Sequence, residues 1–243
     1  IYKSPQDDNG YDISDYEDID PMFGNLADMD ALIEAANGYG MKIVMDLVVN
    51  HSSDEHAWFQ ESRASNSNPK SDWYIWRPAK PDGSTPNNWG SFFSGPAWQW
   101  DEQRGEYYLH LFSKKQPDLN WENPEVRAEI YRMMNRWMDR GIAGFRMDVI
   151  SFISKQPGLP DAKVWPGAQF GDGAEHSLNG PRLTEFLQEM HREVFAARAE
   201  TFTVGEWPGF NPELAAKVTD PAQHMLDMGF DFDHVSVDQE NGK

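Results

Sequence analysis

Apolar residues recur along this chain in modules of one kind: a helical stripe, a stop, then a short apolar run ending in polar groups. The first runs from Asn25 to Tyr39, with Leu26, Met29, Leu32, Ile33 and Ala36 at helical spacing. Gly38 and Gly40 end it, and the strand Met41 to Asp46 follows, extended by Leu47-Val48-Val49-Asn50-His51. The second runs from Pro124 to Arg140, with Val126, Ile130, Met133, Met134, Trp137 and Met138 on one face. Gly141 stops it before a strand at Ile142 to Val149. The third runs from Pro181 to Ala199, with Leu183, Phe186, Leu187, Met190 and Val194 aligned, and leads to a strand at Thr201 to Glu206. A fourth strand is expected near Met225 to Phe232, after a helix around Leu214–Ala216. Helix, stop, strand and polar tip in repetition predict an α/β fold with parallel strands.

The stretch from Ser52 to Asp118 breaks this rhythm. It carries Trp58, Trp73, Trp76, Trp89, Trp98 and Trp100 among Pro and Gly turns, with a short run at Glu106 to Phe112. A βα loop usually takes about 2–6 residues, so this is read as a small inserted domain. Its aromatic content argues against disorder.

Composition narrows the function. The chain has 243 residues, with 40 acids against 21 bases and a net charge of −19. That balance disfavours nucleic acid and anionic membrane as partners, since phosphates would be repelled. The chain has no cysteine, which excludes disulfides, thiolate metal sites and a Cys nucleophile. No apolar run approaches the ~20 residues that span a bilayer. The seven histidines are scattered without metal-ligand spacing, so no metal site is expected. Both ends read as cut: Ile1-Tyr2-Lys3 has no initiator Met or signal-peptide pattern, and Glu240 to Lys243 closes no element.

The polar tips carry the chemistry. Arg146 and Asp148 sit at i and i+2 of a strand and share a face, with Phe145 and Met147 opposite. A guanidinium beside a carboxylate is expected to lower its pKa and keep it ionised, as a nucleophile needs. A plain buried salt bridge fits that pair equally well. Glu206 follows Gly205, which allows close approach, and precedes Trp207, read as an aromatic wall that would raise the pKa of the carboxyl and make it an acid. A surface Glu at a strand end is the simpler reading of that segment. Asp46, Asn50 and His51 end the first strand. Polar groups at the ends of several parallel strands build a site at one rim of a barrel, and two carboxylates there suggest work on a sugar. The acid-rich stretch Asp7 to Tyr16 is a hydrophilic loop, a calcium loop or part of a sugar site. The calcium-loop pattern is not matched, while Asp can accept from hydroxyls and Tyr offers a flat face to a pyranose.

In this order and spacing, Asp46-Leu47-Val48-Val49-Asn50-His51, Gln116-Pro117-Asp118-Leu119-Asn120, Gly144-Phe145-Arg146-Met147-Asp148 and Val204-Gly205-Glu206 resemble four signatures of the α-amylase superfamily, glycoside hydrolase family 13. The chain is most similar to its oligo-1,6-glucosidase and dextran glucosidase branch. The resemblance implies a partial TIM (β/α)8 barrel, about strands two to six, with a B domain inserted after barrel strand three. Residues 1–51 and 119–243 would be barrel and 52–118 the insert.

It also implies roles. Asp148 would be the nucleophile and Glu206 the acid/base of a retaining mechanism, which needs the carboxyls about 5–5.5 Å apart. Arg146 would orient Asp148. Asp8, Tyr11 and His51 resemble residues that hold the terminal glucose, and Asp46 belongs to the same rim. Phe92 or Phe93 would wall that subsite, with Gln116 near the next sugar. Val149, in this branch, goes with α-1,6 preference, although a methyl-scale difference gives only ~1–3 kcal/mol of discrimination. Family members often bind calcium or magnesium in a loop after strand one that this chain does not include, so no metal or other cofactor is expected. The implied protein is an exo-acting α-glucosidase of isomaltose-type oligosaccharides, a monomer of the cytoplasm.

An α-1,4-glucosidase, a trehalose-6-phosphate hydrolase and a sucrose isomerase are alternatives within the family. A phosphate-reading enzyme should show extra Lys or Arg near the 6-position, and Lys114-Lys115 is the doublet in the insert. A barrel used only for partner binding is the alternative of another class, although both acids are present here. The family's later Asn-His-Asp signature is not found in the chain, and an isolated partial barrel leaves strand edges open. The 243-residue chain alone is therefore expected to be poorly stable and without glucosidase turnover; measurable hydrolysis by the purified chain would refute this.

Overall fold

A computed structural model of the chain describes residues 1–230 and residue 232. The chain opens with a short antiparallel pair, β1 (Tyr2–Lys3) and β2 (Asp15–Ile19). Helix α1 (Leu26–Gly38) starts at Asn25, whose side chain accepts from Ala27 N at 2.9 Å while Asp28 Oδ2 accepts from Asn25 N at 2.9 Å. This reciprocal cap satisfies amides that the first turn leaves open. Strand β3 (Val44–Val48) follows.

The insert holds α2 (Ala57–Ala64) and an antiparallel sheet in the order β4-β6-β5, from β4 (Trp76–Arg77), β5 (Trp98–Asp101) and β6 (Glu106–Leu109). The barrel resumes with α3 (Pro124–Arg140), capped by Asn123 with Pro124 in the first turn. Gly141 ends it at φ +112°, and Ile33 lies 3.1 Å from where a Cβ would stand, so the stop needs both the glycine's left-handed backbone and its missing side chain. Then come β7 (Gly144–Asp148), the short α4 (Ala174–Ser177), α5 (Leu183–Met190), β8 (Phe202–Gly205), α6 (Pro212–Val218) and β9 (Met228–Gly229). The expected helix Pro181 to Ala199 is shorter: α5 passes at His191–Phe195 into a wider π-helical turn.

Strands β3, β7, β8 and β9 form one parallel sheet in that order, each preceded by a helix: an arc of a (β/α) barrel with the insert leaving after its first strand. Of the expected fourth strand, Met228–Gly229 pairs, and Asp231 lies outside the described residues. The helical stripes of α3 and α5 are buried as the spacing predicts. Leu32 departs from it: Met29, Ile33 and Ala36 face the core, and Leu32 is 53% exposed on the other flank of α1. Among the described residues, no helix is long and apolar enough to cross a membrane.

The insert shares its core with the barrel. Ile75, Trp89, Ala97, Trp98, Leu109 and Leu111 cluster with Val149, Phe152, Leu159 and Ala162, which belong to the segment after β7. Behind the rim, the chain leaving β3 is held by buried aromatic donors. Tyr16 Oη donates to the carbonyls of Val48 and His51, both at 2.9 Å, and Trp121 Nε1 to Val49 O at 2.7 Å. These bonds satisfy carbonyls that the sheet no longer pairs, and they fix where Asn50 and His51 stand.

Gly144 decides whether β7 can lie against β8. A Cβ there would stand 1.7 Å from Phe202 O, whereas around Gly38, the last residue of α1, nothing lies within 4 Å. Gly144→Ala is expected to cost ~3 kcal/mol or more, and Gly38→Ala to be neutral or to stabilise by up to ~1 kcal/mol. Chemical denaturation of the two variants beside the parent checks both; equal midpoints for Gly144→Ala and the parent would contradict the clash.

Candidate active site

The rim is organised by one guanidinium. Parallel register sets Asp46 beside Arg146 and Arg146 beside Val204, which brings the ends of β3, β7 and β8 together. Arg146 Nη1 donates to Asp46 Oδ1 and to Asp148 Oδ1, each at 2.8 Å, and Nη2 donates to Glu206 Oε2. The guanidinium also lies 5.6 Å from the centre of the Tyr11 ring, close enough for a cation–π contact. Tyr11 Oη donates to Asp46 Oδ2 at 3.3 Å. Burial works against the Arg146 charge, but hydrogen bonding to Asp46 and the charges of all three acids outweigh it and raise its pKa further. As the i, i+2 alternation predicts, Phe145 and Met147 point away and are fully buried.

The expected ionised state of Asp148 is not what this environment favours. Its carboxyl is pushed up to about 8, first by burial, with the negative charge and hydrogen bonding of Glu206 adding to it against Arg146. One guanidinium divided among three acids cannot neutralise each of them, so a buried neighbouring pair keeps a proton. The expected wall on Glu206 is corrected as well. Trp207 turns into the core, 1% exposed, and its Nε1 donates to Asn179 Oδ1 at 2.7 Å. Glu206 meets Arg146 and, at 3.5 Å, the amide of Val149. Gly205 makes room on the core side rather than from above: a Cβ there would lie 2.5 Å from Leu226 Cδ1.

A second polar group joins this cluster through Tyr11. His51 is 2% exposed, with Nε2 at 3.2 Å from Tyr11 O and 3.1 Å from Gln116 Nε2. Burial lowers its pKa, so the ring is neutral at pH 7. Gln116 is fully buried: Oε1 accepts from Ser113 N and Nε2 donates to Asp8 Oδ2, both at 2.9 Å. It therefore braces Asp8 from behind instead of reaching toward a next sugar. Asp8 is half-buried, and its loop is tied by Asp12, which accepts from the amides of Asp7 and Asp8 at 2.9 and 3.0 Å.

Phe92 and Phe93, 46% and 51% exposed, both pack on Phe112. The Phe112 ring lies 5.3 Å from that of His51, so Phe112 joins the insert's aromatics to this polar group. Val149 leaves β7 at φ +36°, a left-handed backbone that β-branched residues rarely adopt. Its side chain packs in the insert's core while its N–H turns to Glu206.

Sequence reasoning missed Asp12, Phe112 and Lys155. Phe112 ends the apolar run at Glu106 to Phe112, which marked it only as insert packing. Lys155 is buried between Asp118 and Asn50, at 2.9 and 3.1 Å, and lies in a polar stretch, Ser154-Lys155-Gln156, where nothing distinguishes it from a surface lysine. Among the described residues, no group of three or more His, Asp or Glu side chains converges as a metal site.

The model of the alpha-amylase catalytic domain matches residues 1–243. The chain belongs to the alpha-amylase family. It is 57% identical over 242 residues to an oligo-1,6-glucosidase of Parageobacillus thermoglucosidasius, covering 100% of this chain and 43% of that protein. It is 52% identical to a glucan 1,6-alpha-glucosidase of Streptococcus dysgalactiae subsp. equisimilis, covering 98% of this chain and 40% of the relative. The crystal structure of the trehalose-6-phosphate hydrolase of Bacillus licheniformis superposes with a TM-score of 0.94 at 47% identity, over 100% of this chain and 42% of that one. The chain thus spans somewhat less than half the length of the relatives it matches, and its sheet is the corresponding part of their TIM barrel.

The raised Asp148 carboxyl makes this alpha-amylase family site pH-sensitive in a stated direction. An unfolded Asp loses its proton near 4, while in the fold the proton stays until about 8. Between those values the folded state binds the extra proton, so this group's contribution is full below the lower value and is lost as pH rises through the upper one. Urea unfolding from pH 5 to 8 should show stability falling by up to ~1.4 kcal/mol per unit from this site, and Asp148→Asn should remove that slope. An identical slope in the variant would count against the shared proton.

Proposed function

We propose that the protein carrying this segment is a retaining, exo-acting α-glucosidase that removes α-1,6-linked glucose from short isomaltooligosaccharides. The observation that carries this reading is the single guanidinium that holds Asp148 and Glu206 at adjacent strand ends, with the linked polar group of Asp8, Gln116 and His51 joined to it through Tyr11. Asp8 in that group would accept from the hydroxyls of a terminal sugar, which favours exo-action. The 1,6-glucosidase names of the relatives above support the substrate class.

The chemistry follows from the two acids. Asp148 attacks the anomeric carbon, the bond to the glycosidic oxygen breaks, and Glu206 gives that oxygen its proton. Water then attacks the glycosyl ester, Glu206 takes the water's proton, and Asp148 is released as carboxylate. The reactive state needs Asp148 ionised and Glu206 protonated. That state holds the same number of protons as a pair with the proton on Asp148, so moving one proton between neighbours readies the site without exchange with solvent. Val149 reaches Glu206 through its backbone N–H while its side chain lies in the insert's core, so an effect of this residue on linkage would act through the placement of that turn.

Of the lysine doublet, one member is already paired with acids. Lys115 is engaged by Asp54 at 2.8 Å and Glu55 at 3.3 Å, which leaves Lys114 as the exposed member of the pair.

Isomaltose should be hydrolysed faster than maltose or trehalose 6-phosphate by the full-length gene product; equal or better turnover of either competitor would overturn the linkage assignment. In that protein Glu206→Gln should lose about 10²–10⁴ in kcat on isomaltose and much less on p-nitrophenyl α-glucoside, whose leaving group needs no proton. With azide, Asp148→Ala should yield the inverted β-glucosyl azide and Glu206→Ala the retained α-azide. The opposite stereochemistry would exchange the roles of the two acids.

A further inference from the structure

Outside the acid pair, a group of buried charges joins three separate stretches of chain. Lys155 Nζ donates to Asn50 Oδ1 at 3.1 Å and to Phe152 O at 2.9 Å, and pairs with Asp118 Oδ2 at 2.9 Å. Asp118 is fully buried and also accepts from the amide of Leu111 at 2.9 Å. The glucosidase chemistry above uses neither Lys155 nor Asp118.

Lys155 fixes which way the Asn50 amide points. An ammonium has protons and no lone pair, so the Asn50 atom facing it must be the oxygen. The Asn50 NH2 group is thereby directed at Asp118 Oδ2, at 3.3 Å, and at His51 Nδ1, at 3.2 Å. Both ring nitrogens of His51 face an NH2 group, Nδ1 that of Asn50 and Nε2 that of Gln116 at 3.1 Å, and each can accept from it. What separates them is that only Nε2 also faces an acceptor, Tyr11 O at 3.2 Å, so the one proton of neutral His51 sits on Nε2. The alternative, a proton on Nδ1 with Nε2 accepting from Gln116, would set N–H against N–H at Asn50 and leave Tyr11 O without that donor. Double protonation of the ring meets the same clash.

We propose that Lys155 is a positioning residue which, through the Asn50 amide, holds His51 as a neutral imidazole with its proton on Nε2, on the side of Tyr11 and Gln116. The charged groups around His51 are Asp8, Asp118 and Lys155, and the two acids pull toward protonation of the ring. The fixed amide is a geometric bar to that proton, over and above the repulsion from the ammonium. Its value for sugar binding rests on the placement of His51 in the glucose pocket; the tautomer itself does not.

The test uses the full-length gene product with 15N-labelled histidine, its His51 signals assigned by their loss in His51→Asn. The parent should show a bare Nδ1 and a protonated Nε2 from pH 5 to 8. Lys155→Met alone would leave Asp118 buried without its cation and risks misfolding, so Lys155→Met is combined with Asp118→Asn. That pair lets the Asn50 amide turn over. A protonated Nδ1 should appear, the ring should take a second proton inside this pH range, and kcat/KM should gain an acid limb that falls about tenfold per pH unit. Asn50→Asp provides an independent route, since it offers Nδ1 an acceptor in place of the donor and should give a doubly protonated ring at pH 7. If His51 keeps a bare Nδ1 in the variants, the relay is wrong. If the tautomer changes and kcat/KM does not, the relay stands and the place of His51 in the glucose pocket falls.

Discussion

Arg146 is the constraint on which the site depends. Three carboxylates on three adjacent parallel strands, or just past their ends, would repel one another at a half-buried rim, and each alone would be costly to desolvate. One planar guanidinium answers all three, because its N–H groups diverge in fixed directions toward Asp46, Asp148 and Glu206. A lysine ammonium could not reach three strand ends with the same fixed geometry. The register of β3, β7 and β8 sets where those ends lie, so the electrostatics of the rim and the pairing of the sheet are one problem. The close approach of β7 and β8 at Gly144, where any side chain would strike Phe202 O, is the price of that register.

Burial, with one positive charge divided among three acids, accounts for the proton held at the rim. Burial is the largest cause of the raised Asp148 carboxyl and outweighs the opposing charge of Arg146, which is why the ionisation that the i, i+2 pattern suggests does not follow. With Glu206 and Asp46 on the same cation, a site with more acids than compensating charge keeps a proton near neutrality. For a mechanism that needs one acid and one carboxylate, that excess of one proton is a useful resting state.

Much of this was legible in the sequence, and the reasons are physical. Helical stripes and short apolar runs record burial directly, so α1, α3, α5 and the strands after them stood out by period. Position i and i+2 placed Arg146 with Asp148, and the resemblance placed Glu206 beside them. What sequence could not carry was distance between segments. Trp207 neighbours Glu206 in the chain, yet it points into the core, because consecutive residues at a strand end face opposite ways. Gln116 looked like a sugar contact until its burial behind Asp8 was seen. Phe112 and Lys155 matter through partners about 60 and 100 residues away, and no local pattern marks them. Leu32 shows the converse: it fits the helical stripe, but the flank of α1 that carries it is exposed.

The turn after Asp148 ties the insert to the chemistry. Val149 occupies a left-handed backbone that costs a β-branched residue on the order of 1–3 kcal/mol, and such a conformation persists only where packing over-determines it. Here the packing is the insert's own core: Trp89, Trp98 and Leu109 enclose a cluster that includes Val149 and Phe152. The same backbone turn points the Val149 amide at Glu206 and carries the chain into the short helical turn at Ile150–Phe152, from which the Phe152 carbonyl meets Lys155. An insert packed this way does more than cover the pocket. By holding Val149 in a conformation that the residue would not choose, it sets the exit of β7, so the geometry of Asp148 and Glu206 depends on the packing of the insert's core.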